Sequence, residues 1–201
     1  MRFPLDSSAP QSLALLREQS ATFALRSDGT IALAPVVRVG EFFETPAIEF
    51  IDRDAAVLGR IERPHPSIDM VGQIRPEGVS ALTFSADDSL LLTRFGGKIR
   101  LWREAEVGGE SAWRPVANLD MGELVTDAVL SPSSRLLAVH LREEIVLFSV
   151  ADSGEHLTLA EAARLAVAPN SSVGSVRFNL DETLLAISTA ADTVQIWGVT
   201  K

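Results

Sequence analysis

The chain has 201 residues, 46% of them apolar, enough to bury a sizeable core and to exclude wholesale disorder. A net charge of −9, from 18 basic and 27 acidic residues, disfavours non-specific attraction to nucleic acid or anionic membrane. The absence of cysteine excludes disulfides, thiolate zinc sites and cysteine nucleophiles, and no apolar run approaches the roughly 20 residues that span a bilayer as a helix.

From the N-terminus, Asp6, Pro10 and Gln11 interrupt any signal-peptide core, so a soluble, cytoplasmic protein is expected. Residues 12–19 suit a short helix through Leu13, Ala14 and Leu16, or a strand over Ser12 to Arg17. Ala21 to Leu25 begins a strand–turn–strand unit, with Ser27, Asp28, Gly29 and Thr30 as the turn and Ile31 to Leu33 as the second strand. This unit registers without a gap on Ser80 to Leu92 further along. The stretch from Pro35 to Pro46 is extra length and carries Phe42 and Phe43 between Glu41 and Glu44. Ala47 to Ile51 and Ala55 to Ile61 read as strands, and His65 follows between two prolines.

Three clearer copies come next. They open on Val79 to Phe84, Val125 to Leu130 and Val173 to Phe178, each followed by a turn rich in Ser, Asp, Asn or Pro. Apolar runs then cover Leu90 to Leu92, Leu136 to Val139 and Leu184 to Ile187, as expected for strands buried on both faces. Each copy closes on a strand ending at Trp102, Phe148 or Trp197, a period of roughly 45–50 residues, as in repeat architectures. Between copies, Trp113 to Leu119 and His156 to Ala160 suit a further, outer strand; residues 159–166, rich in Ala and Leu, also suit a helix.

These units resemble WD40 repeats, through Ser27 to Thr30, Ser131 with Pro132, and Asp192 to Trp197 above all. The resemblance implies an all-β fold: a β-propeller of about four WD40-like four-stranded blades, forming a partial or half propeller. Its segments would be an N-terminal stretch 1–20 that can close the ring, then blades at 21–78, 79–124, 125–172 and 173–201. Ile51, Trp102, Phe148 and Trp197 would be equivalent structural positions. The departures are that Arg103, Ser149 and Gly198 replace the usual closing Asp, and that no Gly-His pair precedes the first strands. The family's His-Ser-Asp-Trp network should therefore be incomplete in every blade. Asp192 with Trp197, helped by Ser188, would preserve most of it. Four blades suggest a tight four-bladed ring, two chains sharing one ring, or a piece of a larger propeller, since an open set leaves two apolar faces bare.

Little in the chain points to catalysis. His65, His140 and His156 have no metal-ligand spacing and suit surface or capping roles. Gly96, Gly97 and Lys98 lack the upstream glycine and the Ser or Thr of a phosphate loop, and read as a tight turn. The acidic pairs Asp87–Asp88 and Asp181–Glu182 fall in repeat turns. Arg94, Lys98, Arg100 and Arg103 alternate as on a solvated strand face. No catalytic residue, metal or cofactor is expected. The function expected is a protein-interaction scaffold or sensor module, the alternative a propeller hydrolase or lactonase with a channel metal. Partner contacts are expected at Phe42, Phe43, Arg75, Phe95, Lys98, Arg142 and Asp192, in loops between strands, and the resemblance implies that loops between second and third strands lie on the face used for partner binding. Phe42 and Phe43 could equally tuck against a neighbouring blade. The partner would be a protein or peptide, not nucleic acid or membrane, with completion by a second copy, another chain or another domain.

Overall fold

The computed structural model describes residues 21–39, 42–68, 74–76, 78–167, 173–189 and 193–199. The expected closing segment at Ser12 to Arg17 lies outside them. Every described element is a strand. β1 (Ala21–Leu25), β2 (Ile31–Pro35), β3 (Val37–Val39), β4 (Phe42–Glu44), β5 (Ala47–Ile51) and β6 (Val57–Glu62) make the first unit. A short ribbon of β7 (Pro66–Ile68) and β8 (Ile74–Pro76) follows. The second sheet holds β9 (Ala81–Phe84), β10 (Leu90–Phe95), β11 (Lys98–Val107) and β12 (Glu110–Asp120). The third holds β13 (Asp127–Leu130), β14 (Leu136–His140), β15 (Glu144–Asp152) and β16 (Leu157–Ala166). β17 (Val173–Phe178), β18 (Leu184–Thr189) and β19 (Val194–Gly198) complete the described chain.

Sequence order is spatial order: three four-stranded antiparallel sheets, β1-β2-β5-β6, β9-β10-β11-β12 and β13-β14-β15-β16, then the three-stranded β17-β18-β19. β3–β4 and β7–β8 are separate two-stranded ribbons. Residues 157–166 form a strand, not the alternative helix. β16 alternates half-buried and exposed residues after the buried Leu157, and its pairing with β15 satisfies its backbone. A bulge recurs at the closing residue of each four-stranded sheet, between Phe50 and Ile51, Leu101 and Trp102, and Leu147 and Phe148. Such bulges increase local twist.

The sheets pack face to face as blades. Ala24, Ala32, Ala34, Ile48 and Phe50 of the first meet Leu82, Leu91 and Trp102 of the second. Leu90, Leu92, Ile99 and Leu101 on the second blade's other face meet Leu137, Val139 and Phe148 of the third. Ala138, Ile145 and Leu147 then meet Val176, Leu185 and Ile187 of the fourth. Adjacent residues of one strand thus serve opposite junctions, which is why the central strands lack polar alternation. Burying one such Leu or Ile contributes about 1.5–3 kcal/mol.

The gapless register expected for the first blade is corrected. Leu25 pairs with Ile31, whereas Phe84 pairs with Leu91 and Leu130 with Leu137. The first blade's turn is therefore one residue shorter, and Ile31 rather than Ala32 takes the place of Leu91. Ala32 consequently faces the second blade.

Each first turn has the same bonding. The amide of its fourth residue donates to the carbonyl of its first: Gly29 to Arg26, Asp88 to Ser85, Ser134 to Ser131 and Glu182 to Asn179. That fourth residue is left-handed every time, with φ of 92°, 60°, 59° and 57°. Only the first is glycine, the residue this conformation favours.

Candidate partner-binding face

The antiparallel topology sends the β2–β5, β10–β11 and β14–β15 connections to one face, together with the links between blades. On it, the β10–β11 hairpin closes on paired Phe95 and Lys98 around Gly96 and Gly97. A Cβ on Gly97 would sit 2.4 Å from the Glu123 carbonyl oxygen, so this glycine permits a close backbone approach. Met121 and Val125 there donate their amides to the carbonyls of Gly97 and Gly96, both at 2.9 Å.

This strap recurs. Arg63 donates to Pro46 in the first blade and Val167 to Glu143 in the third, tying each outgoing link to the start of its blade's third strand. Thr45, fully buried, accepts the Val79 amide at 2.9 Å through its hydroxyl. The face therefore rests on bonded backbone. Both ribbons, β3–β4 and β7–β8, leave from this end of the first blade, where Ala47 pairs with Glu62.

His65 overturns the surface or capping role expected of it. It is only 2% exposed, with Nε2 2.9 Å from the Thr93 hydroxyl. The Trp102 indole donates to the same hydroxyl at 3.0 Å. The second blade thus keeps three of the four members of the family's network, His, Thr and Trp. The β7–β8 ribbon separates His65 from its blade in sequence, which hides the relation. Burial, then the charges of Arg100 and Lys98, lowers its pKa to about 3, so it is neutral at ordinary pH. His140 is also buried, against Thr126, with its pKa pushed down by burial and partly restored by Asp127.

The fourth blade does not preserve the network through Ser188. Trp197 pairs with Leu185, so Ser188, three residues along β18, points to the opposite face and bonds Ser175 instead. Asp192 lies outside the described residues. Elsewhere the place of Thr93 is taken by Leu33, Val139 and Ile187, so packing replaces polar bonding there.

The alternating arginines also depart from the solvated face expected of them. Arg94 donates to the Val125 carbonyl, and Arg100 to the Pro64 carbonyl at 2.6 Å and to Asn118. The Arg100 guanidinium lies 5.4 Å from the Trp102 ring centroid. Arg103 grips Asp152 of the third blade at 2.7 and 3.2 Å. These residues tie blades and links together. Beside them a groove of about 290 Å³ is lined by His65, Pro66, Lys98, Arg100, Asn118 and Asp120, among others.

Of the residues predicted for partner contact, Phe95 and Lys98 are neighbours and half-buried, and Arg142 is exposed in the β14–β15 turn. Phe42 and Phe43 lie on β4 and Arg75 on β8, in the two ribbons of this face; their side chains lie outside what is described. The sequence reading missed His65, Arg100 and Asn118. The Pro-His-Pro string was the available signal for the first.

The opposite face is occupied differently. A cleft of about 560 Å³ there is lined by Arg26, Asp88, Arg103 and Glu104 among others, but its charges engage each other across blades. Arg26 pairs with Glu104 at 2.9 Å, and the Ser27 amide donates to Asp88 at 3.1 Å. Between the third and fourth blades, Ser133 donates its amide and, at 2.8 Å, its hydroxyl to Glu182. Among the described residues, no three His, Cys, Asp or Glu are grouped to hold a metal.

Blades of this order, each packed face to face on the next, define a β-propeller fold. No protein-family model matches the sequence, and no curated protein matches it either. Solved structures do. Sqt1 from Chaetomium thermophilum is similar with a TM-score of 0.63 at 14% identity, over 90% of this chain and 44% of that one. A chain of a mitotic checkpoint complex reaches 0.60 at 18% identity, over 90% and 50%. A putative 6-phosphogluconolactonase from Bacteroides uniformis reaches 0.61 at 16% identity, over 91% and 51%. The chain thus spans about half the length of these propellers.

Proposed function

We propose that the chain is a protein- or peptide-binding platform without catalytic chemistry of its own, working through the face that carries the two ribbons and the His65–Lys98–Asp120 groove. The observation that carries this reading is the asymmetry of the two faces. One presents inserted ribbons and a groove on a strapped backbone; the other spends its charged groups on bonds between blades. Rigid blades with variable loops suit recognition. The same use is seen in a similar propeller, Sqt1, solved bound to the N-terminus of ribosomal protein L10.

Affinity capture with mass identification tests the proposal. The wild-type chain is compared with a Lys98→Glu/Arg142→Glu double variant and with Arg53→Glu, which lies on the opposite face. The partner retained by wild type should be lost with the double variant and kept with Arg53→Glu. Equal retention by all three, or loss only with Arg53→Glu, overturns the assignment of the face.

A further inference from the structure

The repeats serve as their own control for what each blade face meets. Register equates Val194, opposite Ser188, with Ile145, opposite His140, and with Ile99, opposite Arg94. Ile145 and Ile99 are 0% and 2% exposed because the next blade covers them, whereas Val194 is 62% exposed. Ile196 is likewise 62% exposed where Leu147 and Leu101 are 8% and 0%. Leu184 is exposed as well.

The first blade shows the other half of the same junction. Phe23, opposite Leu33, matches Leu82, Ala128 and Val176, which are buried against the preceding blade. Phe23 itself is 67% exposed, and Leu25 and Val57 on the same face are exposed too. The bare face of the fourth blade is thus the kind that receives a following blade; on the received face of the first blade Leu33 and Ile51, on the central strands, are buried, while Phe23, Leu25 and Val57 on the flanking strands stay open to a further blade. Three internal junctions already show how the two fit.

We infer that a second copy of this chain covers both faces: the fourth blade of each copy packs against the first blade of the other, closing one eight-bladed ring through two identical junctions. The observed junctions supply the geometry. The matched propellers supply the length, since this chain covers 44%, 50% and 51% of theirs. A two-fold axis closes such a ring without leaving further faces bare.

The test is mass in solution by sedimentation velocity at micromolar concentration, using the chain as it is and exposed-site variants that preserve the fold. Wild type should run as two chains, as should Leu180→Glu, altered at an exposed turn. Ile196→Glu and Phe23→Glu should each run as single chains with unchanged circular dichroism. Mixing those two variants should restore a two-chain species, because one junction of the mixed pair is wild type on both sides. A monomeric wild type, which would leave the faces to blades from elsewhere, overturns the inference, as does any assembly larger than two. Dissociation by Ile196→Glu alone, with Phe23→Glu still paired, would also overturn it by showing that like faces meet.

Discussion

The left-handed residue of the first turns offers a perturbation whose sign the structure fixes differently in two blades. Ser134 has φ of 59°, and its buried hydroxyl has no hydrogen-bond partner. Left-handed backbone costs a side-chain-bearing residue roughly 1–2 kcal/mol. Glycine escapes that cost but gives back about 0.5–1 kcal/mol through the greater freedom of its unfolded chain. Ser134→Gly should therefore stabilise the protein by about 1 kcal/mol, helped by removal of an unbonded hydroxyl. Glu182 has φ of 57° in the equivalent turn, but its carboxylate accepts both the amide and the hydroxyl of Ser133. Hydrogen bonds to a charged group contribute about 1.5–3 kcal/mol each, so their loss outweighs the relief of strain. Glu182→Gly should destabilise by about 2 kcal/mol.

Urea denaturation followed by circular dichroism measures both, provided the slope with denaturant is unchanged. The pair is informative because backbone strain alone predicts the same sign for both. A stabilised Glu182→Gly would refute the claim that its carboxylate holds the third and fourth blades together. A destabilised Ser134→Gly would refute the strain argument.

Two further outcomes follow from the buried set in the second blade. The pKa of His65 is lowered from 6.5 to about 3, so its contribution is complete above pH 6.5 and is lost as pH falls below it, when only the unfolded chain takes up the proton. Between pH 7 and pH 5 this amounts to about 2 kcal/mol. His140 acts with the same sign; thermal melts of His65→Gln across that range should show a shallower decline than wild type. Thr93→Val would leave the Trp102 indole and His65 Nε2 buried without their shared hydroxyl, at a cost of about 2–4 kcal/mol. Thr93→Ser, which keeps that hydroxyl, should cost only about 1 kcal/mol in the same urea titration.

The elements legible in the sequence were those whose signal is local. Alternation, turn residues and continuous apolar runs located the strands around Leu90 to Leu92, Leu136 to Val139 and Leu184 to Ile187, and the closing aromatics fixed the repeat. What escaped depends on spatial neighbours or on parity. His65 was separated from its blade by an inserted ribbon. Ser188 had the right type and nearly the right position but stands one residue out of phase with Ile187, so its side chain points away from Trp197. Arg94, Arg100 and Arg103 have the alternation of exposed charge; their bonds to the Val125 and Pro64 carbonyls and to Asp152 exist only once blades lie side by side. On the candidate face, the loops were recognisable as connections, while the groove required His65 and Pro66 to be brought beside β11 and β12.

The same reasoning bears on the polar and aromatic contacts at the junction of the first and second blades. The first blade offers Ala32 there, flanked by Ala24 and Ala34, where the second offers the third Leu92. An alanine buries far less apolar area than a leucine, so this junction gains less from the hydrophobic effect. Aromatic and polar contacts compensate. Phe50 stacks on Trp113 with ring centroids 4.8 Å apart, and Thr45 takes the Val79 amide. The Pro64–His65 segment reaches across to Arg100 and Thr93, and Arg26 and Ser27 reach Glu104 and Asp88 on the opposite face. Directional bonds fix relative position more sharply than apolar contact does. The ribbon β7–β8 and the groove beside Lys98 arise at this same junction, so an interface fixed by directional bonds also carries the candidate site.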